Sequence, residues 1–241
     1  MFPKKAIILA GGLGTRLRPL TYKIPKALIP IGSKNLTEHT LDLLKKYGVE
    51  EVVLSVSYMA DEIRKYFGNG KKFGVKISYA VEEERMGTAG PLLLLKKFKE
   101  TFVMLNGDNI FNLNFAYMRK MHQEEKAIAT IALTPTNDSA RGGITKMEGH
   151  KILSFIEKPS PEQALKQIGM PPYWLSSGYY ILEPAVFDIV NGKKFAMMET
   201  DVFPAIAKKG KLVGYKDEGY WADTGTWERY NKVKKEWKSI L

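Results

Sequence analysis

Short apolar runs rich in β-branched residues alternate with helix-spaced stretches through the first half of the chain. Ala6–Leu9, Val52–Val56, Val75–Ala80 and Phe102–Leu105 have the length and residue types of buried strands. Between the first two, Leu36, Thr40, Leu43, Leu44 and Tyr47 fall on one side of a helix from Leu36 to Tyr47, with Gly48 at its C′ position. Asp61–Phe67 reads as a second helix, and Thr88–Lys97 as a third in spite of its internal Gly90-Pro91. Alternation of this kind predicts a parallel sheet covered by helices on both faces.

The second half is less regular. Ala127–Leu133 alternates like a strand, and Gly143–Met147 with Ile152–Ile156 predicts a hairpin turning at Glu148-Gly149. Leu175–Leu182 and Leu212–Tyr215 are further strands, while Pro159–Pro161 and Gly169–Pro172 are expected to be loops. Thr226–Leu241 reads as an amphipathic helix with Trp227, Tyr230, Val233, Trp237 and Ile240 on one side. Its Lys232, Lys234, Lys235 and Lys238 form a solvated face. No repeat, low-complexity stretch or linker interrupts the pattern. Residues 1–241 are therefore expected to form a single α/β domain, a Rossmann-like three-layer α/β/α fold with a mixed, mainly parallel central sheet.

Ligands of such sheets gather beyond the carboxyl ends of the strands. Three marked segments fall there: Gly11–Arg16, Glu82–Gly90 and Asn106-Gly107-Asp108. The spacing alone predicts one site. In the first segment the apolar strand empties into Gly11-Gly12-Leu13-Gly14-Thr15-Arg16-Leu17-Arg18-Pro19, followed by Pro25-Lys26. Glycines let backbone N–H groups turn toward an anion, and Arg16, Arg18 and Lys26 add charge for a polyphosphate. The Walker A spacing is absent, and the dinucleotide fingerprint would need glycine where Leu17 stands. No acidic residue follows the second strand where a ribose would be read, which speaks against a dinucleotide-dependent oxidoreductase.

Composition narrows the chemistry. The chain has no cysteine and only three histidines, His39, His122 and His150, none at ligand spacing from another. Thiolate metal sites and disulfides are excluded, and metal chemistry must rest on carboxylates and a hard cation. The net charge is +11, from 37 Lys and Arg against 26 Asp and Glu, spread in ones and twos. That spread reads as a solvated lysine-rich surface rather than a nucleic-acid face, which would favour one patch with interleaved aromatics, and a positive field also suits anionic phosphate substrates. No apolar run approaches the roughly eighteen residues of a membrane span. Lys4-Lys5 and Ala6–Ala10 have the order of a signal peptide, but the run is short and leads into the glycine loop. A cytoplasmic protein with no nucleic-acid or membrane partner is expected, and a homo-oligomer is compatible with the sequence.

The string Gly11-Gly12-Leu13-Gly14-Thr15-Arg16-Leu17-Arg18-Pro19-Leu20-Thr21, with Pro25-Lys26-Ala27-Leu28, closely resembles the signature of the sugar-1-phosphate nucleotidylyltransferases. Four further segments resemble that family in its order: Val81–Leu92, Leu105–Asp108, Glu157-Lys158-Pro159 and Trp221–Thr226. The resemblance runs from Lys5 to about Tyr230. It implies transfer of a nucleotidyl group from an NTP to a sugar 1-phosphate, with release of pyrophosphate and with magnesium as cofactor. Arg16, Lys26, Asp108, Lys158 and Asp223 would be the catalytic set, with Asp108 and Asp223 as metal ligands. The nucleotide would meet Leu9, Gly11, Gly12, Gly14, Thr15, Arg16, Glu82, Gly87 and Thr88. The sugar phosphate would meet Gly143, Glu157, Lys158, Ser176 and Gly178. Ser176 stands where the family usually has asparagine, and Arg141 before Gly142-Gly143 is unusual. Taken alone, Asp108 and Asp223 read equally well as turn or capping aspartates, and Glu82–Glu84 as a solvated acidic loop. Thr88-Ala89-Gly90 could open a helix whose amides face an anion.

Glu82 stands where uracil- and thymine-using relatives often carry glutamine. A carboxylate only accepts, so it suits the N1–H and exocyclic amine of guanine. Gly87–Leu92 looks most like mannose-1-phosphate guanylyltransferases, and glucose-specific uridylyl- or thymidylyltransferases are the alternative. A catalytically silent binding or regulatory subunit is the rival of another class, and intact Arg16, Asp108, Lys158 and Asp223 argue against it. Many relatives continue into a β-helix of hexapeptide repeats, which this sequence is not expected to carry.

Overall fold

The computed structural model describes residues 2–95 and 98–237. In chain order the first elements are β1 (Lys5–Leu9), β2 (Pro30–Ile31), β3 (Lys34–Asn35), α1 (Leu36–Lys46), β4 (Glu51–Val56), α2 (Ala60–Phe67) and β5 (Lys76–Val81). Then come α3 (Pro91–Leu94), β6 (Phe102–Asn106), β7 (Asn109–Phe111), α4 (Phe115–Glu124), β8 (Ala129–Thr136), β9 (Gly143–Glu148) and β10 (Lys151–Glu157). The last are α5 (Pro161–Gln167), β11 (Tyr173–Leu182), α6 (Val186–Val190), α7 (Phe203–Lys208), β12 (Leu212–Lys216), β13 (Trp221–Asp223) and α8 (Trp227–Glu236). They divide into two compact units, one of Met1–Glu84, Met104–Asn112 and Tyr220–Leu241, the other of Arg85–Val103 and Leu113–Gly219.

Strands β1, β4 and β5 of the first unit run parallel, as the strand–helix alternation predicts, beside two short antiparallel pairs, β2–β3 and β7–β13. β1 runs alongside β4 from Lys5 opposite Glu51 to Leu9 opposite Ser55, and β4 runs alongside β5. Ile7, Ile8, Val52 and Leu54 are fully buried, so this sheet is covered on both faces. α1 starts with a reciprocal capping box between Asn35 and Glu38, and Gly48 takes the positive φ that its end requires. A core cluster of Leu17, Ile29, Ile31, Leu36, Ile110, Ala222, Tyr230, Val233 and Trp237 joins the loop after β1 to α1, β7, β13 and α8. Chain segments far apart in sequence are thereby held against the glycine loop.

The second unit is mostly antiparallel. β8 and β12 are parallel, whereas β8–β11, β9–β10, β9–β11 and β10–β12 are antiparallel. The mixed sheet is as expected, with parallel pairs in both units. The β9–β10 hairpin turns at Gly149, whose φ is 58°. Between Ser176 and Tyr180 the register of β11 on β8 shifts, and Gly178 sits in the bulge with φ 82°.

Local expectations fail in four places. The helix expected over Thr88–Lys97 shrinks to Pro91–Leu94, because the amides before Pro91 bond elsewhere; Lys96 and Lys97 lie outside the described residues. Pro161, expected in a loop, opens α5, because Ser160 and Gln163 form a capping box and proline suits the first helical turn. α4, β7 and β13 carry too few residues or too mixed a pattern to show in the sequence. The final helix begins at Trp227, capped by the Thr226 side chain, and Lys238 and Ile240 of its expected face lie outside the described residues.

Candidate active site

The first unit builds an anion cradle. Ala10 N–H closes onto Ser55 O, and the chain then leaves the sheet. Among the described residues, the N–H groups of Gly11, Gly12, Leu13 and Gly14 donate to no protein acceptor. Four consecutive open amides are a ready anion site. Gly14 adopts φ +60°, and a Cβ there would lie 2.7 Å from Thr21 Cγ2, so the turn needs glycine. Thr21 Oγ1 and Leu17 N–H both donate to Gly14 O at 2.8 Å and lock the turn shut. Thr15 and Arg16 start the next turn and are exposed, while Leu17 is anchored in the core. Gly12 has nothing within 4 Å of a Cβ and faces open space.

Asp108 and Asp223 are brought to this cradle by backbone pairing. Gly107 N–H donates to Leu9 O at 2.9 Å, which sets the Asn106–Asp108 turn beside the start of the loop. β13 pairs antiparallel with β7, with Asp223 opposite Asn109, the residue after Asp108. Thr224 then donates both its N–H and its hydroxyl to Asp108 O, each at 2.9 Å. Each carboxylate holds a cation. Lys26 Nζ is 2.6 Å from Asp108 Oδ2, and Arg229 Nη1 is 3.0 and 3.3 Å from the two oxygens of Asp223. A Cβ placed on Gly225 would lie 2.9 Å from Asp223 Oδ1 and 3.1 Å from Arg16 Nη2, so Arg16 and Asp223 flank one point. The donor set fits a hard cation: two carboxylates on tied loops, with the buried side-chain oxygen of Asn106 unpartnered among the described residues. No group of three or more acidic or histidine ligands occurs among the described residues, so a cation here would share its shell with phosphate oxygens.

Glu82 follows β5 in the same unit. Its N–H bonds to Val56 O at 2.9 Å, and its carboxylate accepts from Ser55 Oγ at 2.7 Å. Leu9, Gly11, Gly12, Gly14, Thr15, Arg16, Lys26, Glu82, Asp108 and Asp223 thus all belong to the first unit.

The second unit carries the other expected residues. Gly143 opens β9, where a Cβ would lie 2.1 Å from Phe155 Cζ and 2.9 Å from Glu157 Oε2. Only glycine allows that approach. Glu157 ends β10, and Lys158 follows at φ 44°, a left-handed conformation rare for lysine. Its N–H bonds to Gly142 O at 3.1 Å, and its Nζ lies 3.2 Å from Glu157 Oε1. Ser176 Oγ, at the bulge, is 3.5 Å from Tyr180 Oη. Gly143, Glu157, Ser176 and Gly178 therefore sit on the paired strands β9, β10 and β11, with Lys158 directly after β10.

One expectation is corrected. Thr88-Ala89-Gly90 does not present helix amides to an anion: Ala89 N–H bonds to Ala196 O at 2.9 Å and Gly90 N–H to Gly87 O at 3.0 Å. Thr88 Oγ1 accepts from Met198 N–H at 2.8 Å and donates to the Glu199 carboxylate. Glu199 escaped the sequence reading because an acidic residue in Met198-Glu199-Thr200 carries no local signal. Arg229 escaped it as one more cation on a lysine-rich helix. Thr224 lay inside a quoted motif, but its double bond to Asp108 needs the β7–β13 pairing.

An α/β fold that sets a row of open amides beside a lysine, an arginine and two carboxylates has the groups to receive a polyanion. Residues 5–239 match the family model described as nucleotidyl transferase, and the chain belongs to that family. It is 35% identical over 253 residues to the UTP–glucose-1-phosphate uridylyltransferase of Synechocystis sp., covering 98% of this chain and 62% of that protein. It is 36% identical over 228 residues to mannose-1-phosphate guanyltransferase beta-A of Xenopus laevis, covering 92% and 61%. The chain spans about three fifths of the length of these curated relatives. A solved Bacillus anthracis structure, assigned as a glucose-1-phosphate thymidylyltransferase and holding sucrose, superposes with TM-score 0.86 at 27% identity, covering 98% of this chain and 96% of that one. Among the described residues no helix is long and apolar enough to cross a membrane.

Proposed function

We propose that the chain is an enzyme that transfers a nucleotidyl group from an NTP to a sugar 1-phosphate and releases pyrophosphate. The observation that carries this reading is the row of open amides from Gly11 to Gly14, next to a loop pair that holds Asp108 and Asp223. The amides and Arg16 would take the departing pyrophosphate, and Lys26 would leave Asp108 for a phosphate of the nucleotide. Lys158 would hold the phosphate of the sugar and Glu157 its hydroxyls. Asp108 and Asp223 would hold magnesium, which when bound neutralises charge on the phosphoryl oxygens. No covalent nucleophile is needed, which agrees with a chain without cysteine.

For the substrate pair the reading is GTP with mannose 1-phosphate. Ser55 donates to one oxygen of the Glu82 carboxylate, an acceptor-only group suited to the N1–H and amine of guanine. The guanyltransferase names among the relatives support the same pair. The uridylyltransferase and thymidylyltransferase names support glucose 1-phosphate with UTP or dTTP as the second reading. The test is pyrophosphate release from four NTPs against glucose and mannose 1-phosphates with magnesium. Fastest turnover is expected for GTP with mannose 1-phosphate. A faster rate with UTP or dTTP and glucose 1-phosphate overturns the guanine assignment, and no release with any pair overturns the reaction class.

A further inference from the structure

The second unit contains a carboxyl group that the reaction as described does not use. Glu199 lies on a single wide turn, Met198–Val202, whose backbone is π-helical, a rare form that is frequent at functional sites. The turn is bound on one side to the segment before α3. Ala196 N–H donates to Met86 O, Ala89 N–H donates to Ala196 O, and Met198 N–H donates to the Thr88 hydroxyl. That hydroxyl donates in turn to Glu199. A Cβ on Gly87 would lie 2.2 Å from Ala196 O, so the two segments approach as closely as backbone allows.

On its other side the turn runs into Phe203, whose ring stands 5.1 Å from Phe155 and 5.0 Å from Tyr180. Phe155 fills the space over Gly143, and Tyr180 faces Ser176. The turn that carries Glu199 is thus packed on the strands that bear Gly143, Glu157 and Ser176. The charged groups that Glu199 feels are Glu157 and Lys158. Burial holds its carboxyl above the ordinary range, and the repulsion of Glu157 adds to that, while the Thr88 hydroxyl and Lys158 oppose it.

We propose that Glu199, latched by the Thr88 hydroxyl, is a positioning residue for the Glu157-Lys158 pair and sets how tightly the sugar phosphate is held. The inference rests on the proposed reaction. Lys158 has a long stem, and its head is exposed. Among the described residues its head pairs with Glu157 alone, which leaves it several geometries. The charge of Glu199, on the turn packed against β10 through Phe203 and Phe155, acts on the same pair and favours part of that range, and restriction before binding favours affinity. Thr88 ties this carboxylate to Gly87-Thr88, so the segment assigned to the nucleotide and the residues assigned to the sugar phosphate share one fixed turn.

The test compares Glu199→Gln, Thr88→Val and Thr88→Ser with the wild-type chain in steady-state kinetics from pH 5.5 to 8.5, with Tm measured for each. Glu199→Gln keeps a hydrogen-bond acceptor for Thr88 and removes the charge. It is expected to raise KM for the sugar phosphate about tenfold, leave KM for the NTP within about twofold, and flatten the acid limb of the wild-type sugar-phosphate KM profile. Thr88→Val, which removes the latch, is expected to raise KM for the sugar phosphate as well, and Thr88→Ser, which keeps the hydroxyl, to raise it less. An unchanged sugar-phosphate KM and acid limb in a folded Glu199→Gln overturns the proposal while the reaction stands. If the wild-type chain turns over no substrate pair, reaction and positioning role fall together. Equal losses in kcat and both KM values with a lowered Tm assign Glu199 to structure alone and overturn the proposal as well.

Discussion

Asp108 and Asp223 each carry a cation supplied by the chain itself, Lys26 and Arg229. A carboxylate paired in this way is oriented before any ligand arrives, and each of the two is neutralised without one. Replacing either aspartate by asparagine keeps the shape and removes the negative charge. Under the proposed reaction kcat is expected to fall about a hundredfold or more, the size of losing one preorganised electrostatic group. Stopped assays of pyrophosphate release at saturating magnesium check this, and near-normal turnover in either variant excludes that residue as a ligand. The same replacements strand Lys26 or Arg229, so part of any loss of stability will come from the unpaired cation.

At the level of elements, α4, β8 and the residues after β11 enclose a polar network that includes none of the expected site residues. His122 is 1% exposed, its Nδ1 is 2.8 Å from Thr130 Oγ1 and its Nε2 is 3.0 Å from Glu183 Oε1. Thr101 Oγ1 donates to the same Glu183 oxygen at 2.7 Å. Burial holds the imidazole below its ordinary value, with the Glu183 carboxylate opposing and the Arg119 guanidinium reinforcing the shift. The unfolded chain therefore takes up this proton first as pH falls below about 6.5. Stability from this group is complete above that pH, is lost as pH drops from there toward the folded value, and changes no further below it. Urea denaturation at pH 7.5 and 5.5 is expected to show the loss in the wild-type chain and a smaller one in His122→Gln. Equal losses in both assign the acid sensitivity to other groups.

Across the whole molecule, a net charge of +11 would act, under the proposed reaction, on two anionic substrates. Exposed charges attract across about 10 Å at 0.1 M salt and across much less at higher ionic strength. The KM for NTP and for sugar phosphate is expected to rise severalfold between about 0.05 and 0.5 M potassium chloride, with kcat changing less. A flat salt response would mean that only the local cations, Arg16, Lys26 and Lys158, contribute to capture. Much of the candidate site was legible in the chain because its motifs are backbone devices. Gly14 must take a positive φ, Gly143 must admit Phe155, and Gly107 must reach Leu9 O, and each demand leaves a glycine in the text. The parallel strands of the first unit were legible for a related reason: burial on both faces turns a strand into an unbroken apolar run.

What the sequence by itself determined is therefore the local matter: the order of strands and helices in the first unit, the loop that opens its amides, and the carboxylates at strand ends. What only the tertiary structure decided are the pairings between distant segments. Thr224 closes on Asp108 across 116 positions and Thr88 on Glu199 across 111, and neither partner carries a local pattern that names the other. The helix expected over Thr88–Lys97 failed for this reason, since its first amides are taken by Ala196 and Gly87. Local propensity is a weak preference of a fraction of a kcal/mol per residue. A buried amide that finds a distant acceptor avoids a cost of about 1–3 kcal/mol, and that larger quantity is written in the fold rather than in the neighbouring residues.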